Sequence, residues 1–322
     1  MKVILTGSIA FDYLMYFPGY FKDYILPESL DKISLSFLVE DMVKRFGGVG
    51  ANIAYNMALV GGKPYLYSAA GQDFGDFNRH LEAAGVDTSG IFIDKEKFTA
   101  SFFQNTDLGQ SQIASFYTGA MADSADMPLK DADYKVGDLV MVSPTDPRAM
   151  NRYMDECAEL GLKMIFDPGQ QIVRMDKEML CKGVNNAFGL FVNEYEFELL
   201  QKETCMNPEE ILYSPEFCVV TLGKEGSRVV TAKEDIVVPV IPDVQVVDPT
   251  GVGDAFRGGF LRGYLLGWPM KICAEIGATT AAYCLAEHGT QEHKFTWQEF
   301  KKYYRQTFDD QGLLDTINQD RE

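Results

Sequence analysis

The sequence predicts an α/β protein with a mostly parallel central sheet, helices on both faces of that sheet, and a small second β-sheet. Short apolar runs alternate with helical patterns over most of the 322 residues, which is typical of parallel strands joined by helices. The strand runs are apolar at nearly every position, as expected for strands that are covered on both faces. Two stretches, 13–46 and 98–117, interrupt the alternation and supply the second sheet.

The strands predicted for the main sheet lie at 3–6, 64–69, 139–142, 164–166, 190–192 and 218–221. Helical patterns lie between them, for example at 51–60, 148–160 and 194–201. Ligands of such sheets bind at the carboxyl ends of the strands. Four polar residues are predicted to lie at those ends: Asp12, Asp167, Asn193 and Thr221. We expect the polar C-terminal stretch 306–322 to fray.

The two interrupting stretches are rich in aromatic and aliphatic residues, and 98–117 reads as paired strands around a turn at 107–109. An apolar sheet face is normally buried against a partner or a substrate, so we interpret these stretches as a lid that also forms a dimer interface. The alternative is that they only fill out the core. The predicted division is a discontinuous lid domain of 13–46 and 98–117 and a large α/β domain of 1–12, 47–97 and 118–322.

The bulk composition excludes several classes of function. The net charge is −18 and the sequence pI is near 4.6, so nucleic acid and membrane surfaces are not expected partners. The apolar N-terminus is interrupted by polar residues, and no apolar run reaches membrane-spanning length. Six cysteines without metal-ligand spacing and three histidines argue against a zinc site. Reduced thiols in a cytoplasmic protein are the simplest interpretation.

Residues 248–260, with the sequence DPTGVGDAFRGGF, form the most informative motif. Unpaired N–H groups at a helix start attract anions, and the glycines Gly251 and Gly253 let a phosphate approach the main chain. A carboxylate in such a site has an evident task, which is to accept a proton from a hydroxyl that attacks phosphorus. Asp254 is therefore predicted to be the base of a phosphoryl-transfer centre, and the alternative is a purely structural turn before a helix.

Other candidates point to a sugar and a base. Asp12 can accept hydrogen bonds from vicinal hydroxyls, although a turn cap explains an aspartate equally well. Gly48 and Asn52 belong to the glycine-rich segment FGGVGAN, which could be purely architectural. The adjacent amides of Gln170 and Gln171 can read the edge of a heterocycle, and their alternative is a solvated loop. Two aromatic residues of the second sheet can stack on a base, with core packing as their alternative: Phe102 and Phe116.

A further pair of motifs suits a nucleotide and its metal. Asn193 and Glu196 share one helix face, so their oxygens can bind the waters around Mg²⁺, although a helix cap would explain the same spacing. In the segment TLGKEG, Thr221 ends a strand, and Gly223 and Gly226 allow a flat nucleotide to lie against the backbone. A simple turn explains these glycines too.

Together these motifs resemble the ribokinase-like (PfkB) carbohydrate and nucleoside kinases. DPTGVGDAFRGGF and FGGVGANIAYNMALVGG are similar to the two signatures of that family, NEYE to its N-x-x-E motif, and VVTLGKEG to its nucleotide loop. The similarity runs over essentially the whole chain in the right order. More narrowly, GSIAFDYLMYFPGYF, LDKISLSFLVEDMV, QIASFYTGAM, DPGQQ and HGTQEH resemble the mycobacterial-type bacterial adenosine kinases. In one departure, Val49-Gly50-Ala51 lacks the lysine that many ribokinases carry after the two glycines.

The resemblance implies a role for each candidate. Asp254 would be the general base, and the amides of Gly251, Val252 and Gly253 the anion hole. The ribose would be held by Asp12, Gly48 and Asn52. The nucleoside pocket would be lined by Ser8, Ser36, Phe102, Phe116 and Gln170, with Gln171 close by. The residues that bind ATP would be Asn193, Thr221, Gly223 and Gly226. Mg²⁺ would be bound through water by Glu196 and Asn193. Ser36 and Phe37 would lie near a homodimer interface through the lid.

The resulting hypothesis is ATP-dependent phosphorylation of the 5′-hydroxyl of adenosine to give AMP. One alternative is a sugar kinase that acts on ribose or a fructose phosphate. The other is a nucleoside-binding sensor that has lost catalysis. No motif separates adenosine from other purine nucleosides.

Overall fold

The computed structural model describes residues 1–25, 31–32 and 34–317. Its strands are β1 (Val3–Thr6), β2 (Ala10–Tyr16), β3 (Asp41–Gly47), β4 (Tyr65–Leu66), β5 (Ser68–Gly71), β6 (Ile91–Asp94), β7 (Ala100–Thr106), β8 (Gln112–Tyr117), β9 (Leu139–Val142), β10 (Lys163–Phe166), β11 (Gly189–Asn193), β12 (Phe217–Thr221), β13 (Ser227–Thr231) and β14 (Asp235–Val238). Its α-helices are α1 (Val49–Leu59), α2 (Gly75–Ala84), α3 (Pro147–Glu159), α4 (Lys177–Asn186), α5 (Glu194–Thr204), α6 (Pro208–Tyr213), α7 (Val252–Leu265), α8 (Met270–Leu285) and α9 (Trp297–Tyr304).

The large sheet has the strand order β14-β13-β12-β11-β10-β9-β1-β4. Strands β4, β1, β9, β10, β11 and β12 run parallel, and β13 and β14 add an antiparallel edge. Successive side chains of a strand point to opposite faces, so each buried strand contributes side chains to the two hydrophobic cores on either side of the sheet. Val3 and Leu5 pack with α1, α2, α7 and α8, whereas Ile4 packs with α3 to α6. The predicted fold class is confirmed.

The predicted strand at 64–69 is wrong as a single strand. Tyr65–Leu66 pairs with β1 at the edge of the large sheet, whereas Ser68–Gly71 pairs with β6 in a separate two-stranded sheet. Between them the N–H of Tyr67 donates to the carbonyl of Leu5 at 2.9 Å. All of these residues are buried, so an apolar run does not reveal where the chain leaves one sheet for another.

The small sheet has the strand order β3-β2-β7-β8, in which β2 and β7 are parallel and the outer pairs are antiparallel. It begins at Ala10, earlier than the predicted boundary at residue 13. Asp12 therefore lies inside β2, and its prediction as a residue at the end of β1 is wrong. By contrast, Asp167, Asn193 and Thr221 do lie at the carboxyl ends of the neighbouring strands β10, β11 and β12.

The C-terminal stretch is packed as far as it is described, so the predicted fraying is wrong for 306–317. Leu314 is fully buried, and its carbonyl accepts from Nε1 of Trp297 at 3.3 Å. Asp310 accepts from Arg305 at 2.9 Å and from the N–H of Leu314 at 2.9 Å. These polar side chains look solvated in the sequence because their ion-pair partners lie several residues away. Among the described residues, no helix combines the length and apolarity needed to cross a membrane.

Candidate active site

Helix α7 starts with an open, amide-lined turn. Gly251 precedes the helix with φ of 75°, a left-handed conformation that favours glycine, and a Cβ there would lie 2.6 Å from Cγ2 of Thr290. Val252, Gly253 and Asp254 follow in the first turn of the helix, where backbone N–H groups lack intrahelical partners. The turn is therefore suited to an anion, as the sequence predicted. Gly251 also has a structural role, because its backbone conformation and its close contact with Thr290 leave no room for a side chain.

Asp254 is joined to α1 by a hydrogen bond. Nδ2 of Asn52 donates to Oδ2 of Asp254 at 2.8 Å. Asn52 stands in the first turn of α1, and α1 packs closely on α7 because Gly258 leaves room, since a Cβ there would lie 2.8 Å from Cβ of Asn56. The structure thus brings together two residues that are about 200 positions apart in the sequence.

The surroundings of Asp254 change its acidity. The pKa of Asp254 is raised to about 7, mainly by burial of its carboxyl group. The charge of Arg257 and the hydrogen bond from Asn52 lower this pKa, whereas the negative charges of Asp167 and Glu196 raise it. A base whose pKa lies close to neutral pH is ionised often enough to accept a proton and basic enough to hold it. These electrostatics fit the predicted role of Asp254.

Arg257 is a charged residue beside Asp254 that the sequence interpretation missed. Its Nη2 donates to Oδ1 of Asp167 at 2.7 Å, and its Nη1 donates to the carbonyl of Gly253 at 3.0 Å. Both side chains of the Arg257–Asp167 pair are almost fully buried, and Glu196 lies 4.0 Å from the guanidinium. Arg257 follows Asp254 by three positions, which is about one helical turn. This spacing was the sequence signal that could have identified Arg257 as a neighbour of the predicted base.

Asn193 and Glu196 form a capping box at the start of α5. Oδ1 of Asn193 accepts from the N–H of Glu196, and Oε2 of Glu196 accepts from the N–H of Asn193, each at 2.8 Å. The structural alternative for N-x-x-E is therefore realised. Burial raises the pKa of Glu196, and the charge of Arg257 counteracts this. The carboxylate also lies at the same sheet edge as Asp167, so capping does not remove it from the site.

The predicted nucleotide loop follows β12. Thr221 pairs in register with Asn193, which brings the ends of β11 and β12 together. A Cβ on Gly223 would enter open space, so this backbone is accessible to a flat ligand. Gly226 differs, because a Cβ there would lie 2.0 Å from the carbonyl oxygen of Val238. Packing within the hairpin is thus sufficient to explain Gly226.

Ser8 and Gly48 shape the turn that precedes α1. Oγ of Ser8 accepts from the N–H of Val49 at 3.1 Å, so the hydroxyl satisfies an amide at the helix start. Gly48 has φ of 91°, and a Cβ there would lie 2.6 Å from the carbonyl oxygen of Ser8. The carbonyl of Gly48 accepts from the N–H of Asn52 at 2.8 Å, so this turn fixes the backbone at the start of α1.

One transverse row crosses all four strands of the small sheet. Directly paired residues point to the same face, and the register aligns Arg45, Asp12, Phe102 and Phe116, which we call the Asp12 row. Burial raises the pKa of Asp12 to about 6, and the charge of Asp248 adds to this. Phe102 is partly exposed and Phe116 is exposed, so neither ring is a core residue. The row combines a carboxylate with two accessible rings.

The remaining predicted pocket residues differ in exposure. Gln171 is buried, donates from Nε2 to the carbonyl of Thr145 at 2.8 Å, and has an Oε1 atom without a hydrogen-bond partner in the described part of the chain. Gln170 and Ser36 are exposed. Phe37 packs within the protein against an aromatic cluster of Phe17, Phe21 and Tyr24.

The residues at the carboxyl ends of β10 and β11 offer oxygen donors to a metal. Oδ2 of Asp167 is buried without a hydrogen-bond partner in the described part of the chain, and Glu196 and Asn193 add a carboxylate and an amide. Within residues 1–25, 31–32 and 34–317, no three histidine, cysteine or acidic side chains converge as a metal cage. This donor set suits Mg²⁺ that keeps most of its waters.

A groove of about 620 Å³ beside α4 and α6 contains none of the predicted residues.

A family model decides the classification. The model described as pfkB family carbohydrate kinase matches residues 11–297, which is most of the chain. The chain belongs to the pfkB family. Its relatives include a nucleoside kinase from Methanocaldococcus jannaschii, which is 28% identical over 303 residues and covers 92% of this chain and 95% of the relative.

Solved structures of nucleoside kinases superpose on nearly the whole chain. A nucleoside kinase from Burkholderia thailandensis in complex with inosine has a TM-score of 0.83 at 30% identity, with 96% of this chain and 98% of that chain covered. The same protein with ADP-inosine has a TM-score of 0.82 at 31% identity, covering 95% and 96%. These relatives carry the broader name nucleoside kinase, so the narrower resemblance to mycobacterial-type adenosine kinases stays a hypothesis.

Proposed function

We propose that this pfkB-family protein transfers the γ-phosphoryl group of ATP to the 5′-hydroxyl of a purine nucleoside, with adenosine as the acceptor. The observation that carries the proposal is the 2.8 Å hydrogen bond between Asn52 and Asp254. It connects the start of α1, next to the small sheet, with the amide-lined start of α7. An acceptor hydroxyl and a phosphate would thus occupy adjoining sites, which is what in-line phosphoryl transfer requires.

The nucleoside is the acceptor that best suits the Asp12 row. Ionised Asp12 can accept from the two ribose hydroxyls, and Gly48 and Asn52 lie at the next turn. Phe102 and Phe116 stand on the same face as Asp12, where a purine ring could stack on them. The relative from Burkholderia thailandensis was solved with inosine and with ADP-inosine, which supports a purine nucleoside as the acceptor.

The remaining contacts of the base are proposed from residues with free polar groups. The unpaired Oε1 of Gln171 and the exposed amide of Gln170 offer an acceptor and a donor for the heterocycle edge. Ser8 and the exposed Ser36 complete the proposed nucleoside pocket, with the backbone cap made by Ser8 as its second role.

ATP is proposed to lie along the carboxyl ends of β11 and β12. Asn193 and Thr221 face this edge, and Gly223 leaves its backbone open, while Gly226 shapes the turn. The γ-phosphate would then meet the amides of Gly251, Val252 and Gly253. Mg²⁺ would be held through water by Glu196 and Asn193, where it would neutralise charge on the phosphates.

The mechanism follows from the same groups. Asp254 accepts the proton of the 5′-hydroxyl as that oxygen attacks the γ-phosphorus, and ADP leaves. The amides of residues 251–253 stabilise the charge on the transferred phosphoryl oxygens. Arg257 is held by Asp167 behind this turn, where its charge offsets the repulsion between Asp254 and incoming phosphate. A lid formed by 13–46 and 98–117 would exclude water and so limit hydrolysis of ATP. Residues 26–30 and 33 of this lid lie outside the described part of the chain.

A sugar kinase is the second candidate, and Arg45 favours it. A phosphorylated sugar needs a cation, and Arg45 stands beside Asp12 in the row. Its Nη1, however, donates to the carbonyl of His288 at 3.0 Å, and Glu292 lies 3.6 Å away, so its charge is already partly compensated. A nucleoside therefore fits the row better than a sugar phosphate.

A homodimer through the lid is proposed from the opposite face of the small sheet. Met42, Phe103 and Ile113 are all exposed there, and β8 is an edge strand with every residue exposed. A second copy would cover this apolar surface. Sedimentation of the purified protein should show a dimer, and a monomer at micromolar concentration would contradict this proposal.

The test of function is ADP release with ATP and Mg²⁺ over a panel of adenosine, inosine, guanosine, cytidine, ribose and fructose 6-phosphate. We expect the highest kcat/KM with adenosine. A preference for another nucleoside would refute the adenosine assignment alone. Turnover with sugars only would favour the sugar kinase, and nucleoside binding without ADP release would favour the sensor.

A further inference from the structure

A series of buried polar side chains leads away from Asp254 toward helix α2. Asn52 donates from Nδ2 to Asp254, and its Oδ1 accepts from Nε2 of Gln291 at 2.8 Å. Gln291 is 1% exposed, so its amide depends on hydrogen-bond partners in the interior of the protein. The side chain that Gln291 approaches next is His80.

Thr290 also contacts Asn52, but it does not fix the orientation of the Asn52 amide. Oγ1 of Thr290 lies 2.8 Å from Oδ1 of Asn52 and 2.9 Å from the carbonyl oxygen of Phe46. A hydroxyl has a single proton, so it can donate to only one of these two oxygens at a time. When it donates to Phe46, its lone pairs face Asn52 and favour a reversed amide. The Nε2 group of Gln291 is then the donor that keeps Oδ1 of Asn52 in place.

Gln291 needs a partner of its own to keep this orientation. Its Oε1 and the Nε2 atom of His80 are both buried, and neither has a hydrogen bond of good geometry within the described residues. Burial lowers the pKa of His80, and hydrogen bonding to Gln291 acts in the opposite direction. The ring of His80 lies 5.0 Å from Tyr55 in a stacked arrangement and 4.7 Å from Phe46, so its rotation is limited. A proton on Nε2 can bond to the Oε1 oxygen of Gln291 but not to its N–H groups, because an N–H group is a donor and cannot accept.

We propose that Gln291 and His80 are positioning residues that keep the N–H side of the Asn52 amide turned toward Asp254. The inference rests on the proposed function, in which Asp254 is the base. If Asn52 were reversed, two oxygens would face each other at 2.8 Å unless Asp254 were protonated. A protonated Asp254 cannot accept the proton of the acceptor hydroxyl.

Other charges face the two titrating groups and stay constant in the variants. Asp254 faces Arg257 on its own helix, Asp167 after β10 and Glu196 on α5. His80 faces Glu292 and Lys294, which follow Gln291 in the chain. Replacing Gln291 or His80 by a neutral residue changes none of these side chains. A changed ionisation of Asp254 would therefore report the orientation of Asn52.

The first experiment compares the pH profiles of kcat/KM for the wild type, Gln291→Met and His80→Phe. We expect the acid limb to move to higher pH by about one unit in Gln291→Met, which lowers kcat/KM at pH 7 roughly 3–10-fold and leaves it near the wild-type value at pH 9. His80→Phe should shift it less, and His80→Gln should restore it because an amide N–H replaces the ring donor. The control Gln201→Met removes an amide that donates to the carbonyl of Phe197 within α5, and it should leave the pH profile of kcat/KM unchanged.

A second experiment measures the ionisation of Asp254 without catalysis, from the difference in unfolding free energy between each protein and its Asp254→Asn counterpart. Since the folded pKa of Asp254 is raised, stability relative to the asparagine variant falls as pH rises and becomes constant above that pKa. The constant region should begin at higher pH in the Gln291→Met background than in the wild type.

The outcomes separate the inference from the proposed function. If the wild type phosphorylates no nucleoside, the proposed function fails, and the stability measurement still decides the orientation of Asn52. The inference is overturned if Asp254 titrates at the same pH in all backgrounds, or if the variants lose activity equally at every pH. If Gln291→Met does not fold, His80→Phe and its rescue by His80→Gln give the same decision.

Discussion

The start of α7 and the small sheet are the two halves of the proposed site, and they are built differently. Around Asp254 the polar groups are buried and bonded to each other through Asn52, Arg257 and Asp167. In the small sheet, apolar side chains such as Phe103 and Phe116 are exposed, and the outer strand β8 is exposed throughout. The contrast teaches that the polar groups around Asp254 are held in place by the protein itself, whereas the proposed acceptor surface is left uncovered in the free protein.

The largest effect should come from removing the base. Asp254→Asn keeps the shape of the side chain but cannot accept a proton, so kcat should fall by about 10²–10⁴-fold while nucleoside binding is retained. Steady-state kinetics and calorimetric binding of adenosine measure the two quantities. The control Asp155→Asn breaks an ion pair with Lys182 on the far side of the sheet and should leave kcat unchanged. Full activity of Asp254→Asn would remove Asp254 from the mechanism.

The buried ion pair should be the next most sensitive feature. Arg257→Leu leaves Asp167 uncompensated in the interior, and breaking such a pair costs about 3–5 kcal/mol of unfolding free energy. The control Arg228→Leu breaks an exposed pair with Asp235 and should cost at most about 1 kcal/mol. Urea unfolding at pH 7 compares the two. Equal costs would show that the region around α7 is not rigid in the way that the comparison requires.

The small sheet should affect binding and not chemistry. Phe116→Ala removes a ring from the face of Asp12, and the loss of one stacking contact should raise KM for adenosine by roughly 3–12-fold with kcat unchanged. Phe103→Ala removes a ring from the opposite face, where it stacks on Tyr13 at 4.8 Å, and serves as the matched control. If Phe103→Ala raised KM more than Phe116→Ala, the assignment of the two faces would be reversed.

The smallest expected effect is the pH dependence of acceptor binding. The pKa of Asp12 is raised to about 6, so its carboxylate is ionised at pH 7 and becomes protonated as pH falls through 6. An ionised carboxylate accepts from both ribose hydroxyls more strongly than the acid does. KM should therefore rise about 3-fold between pH 7 and pH 5. Asp12→Asn should abolish this dependence. An unchanged pH dependence in that variant would assign it to another group.

The two halves also differ in what the sequence could predict. The motif around Asp254 was recognisable because glycines, a carboxylate and a helix start are local features, and all of them lie together in the structure. The capping by Glu196, the pair of Arg257 with Asp167 and the contact of Asn52 with Asp254 depend on segments that meet only after folding. No local pattern specifies such partners, and periodicity alone did not separate β4 from β5 or place Asp12 inside β2.

The acceptor half was less predictable for a different reason. The Asp12 row is defined by the register of four strands from distant parts of the chain, and a shift of one residue would turn every side chain to the other face. The sequence proposed Asp12, Phe102 and Phe116 separately, but it did not show that they share a face or that Arg45 joins them. Register therefore decides which of the exposed rings can meet the acceptor.

A crystal structure of the complex with adenosine, Mg²⁺ and a non-hydrolysable ATP analogue tests the central claim most directly. The account predicts the 5′-hydroxyl within about 2.6–3.2 Å of a carboxylate oxygen of Asp254, with the ribose on Asp12 and the γ-phosphate at the amides of residues 251–253. A bound nucleoside whose 5′-oxygen lies more than about 5 Å from Asp254, beyond direct proton transfer, would contradict it.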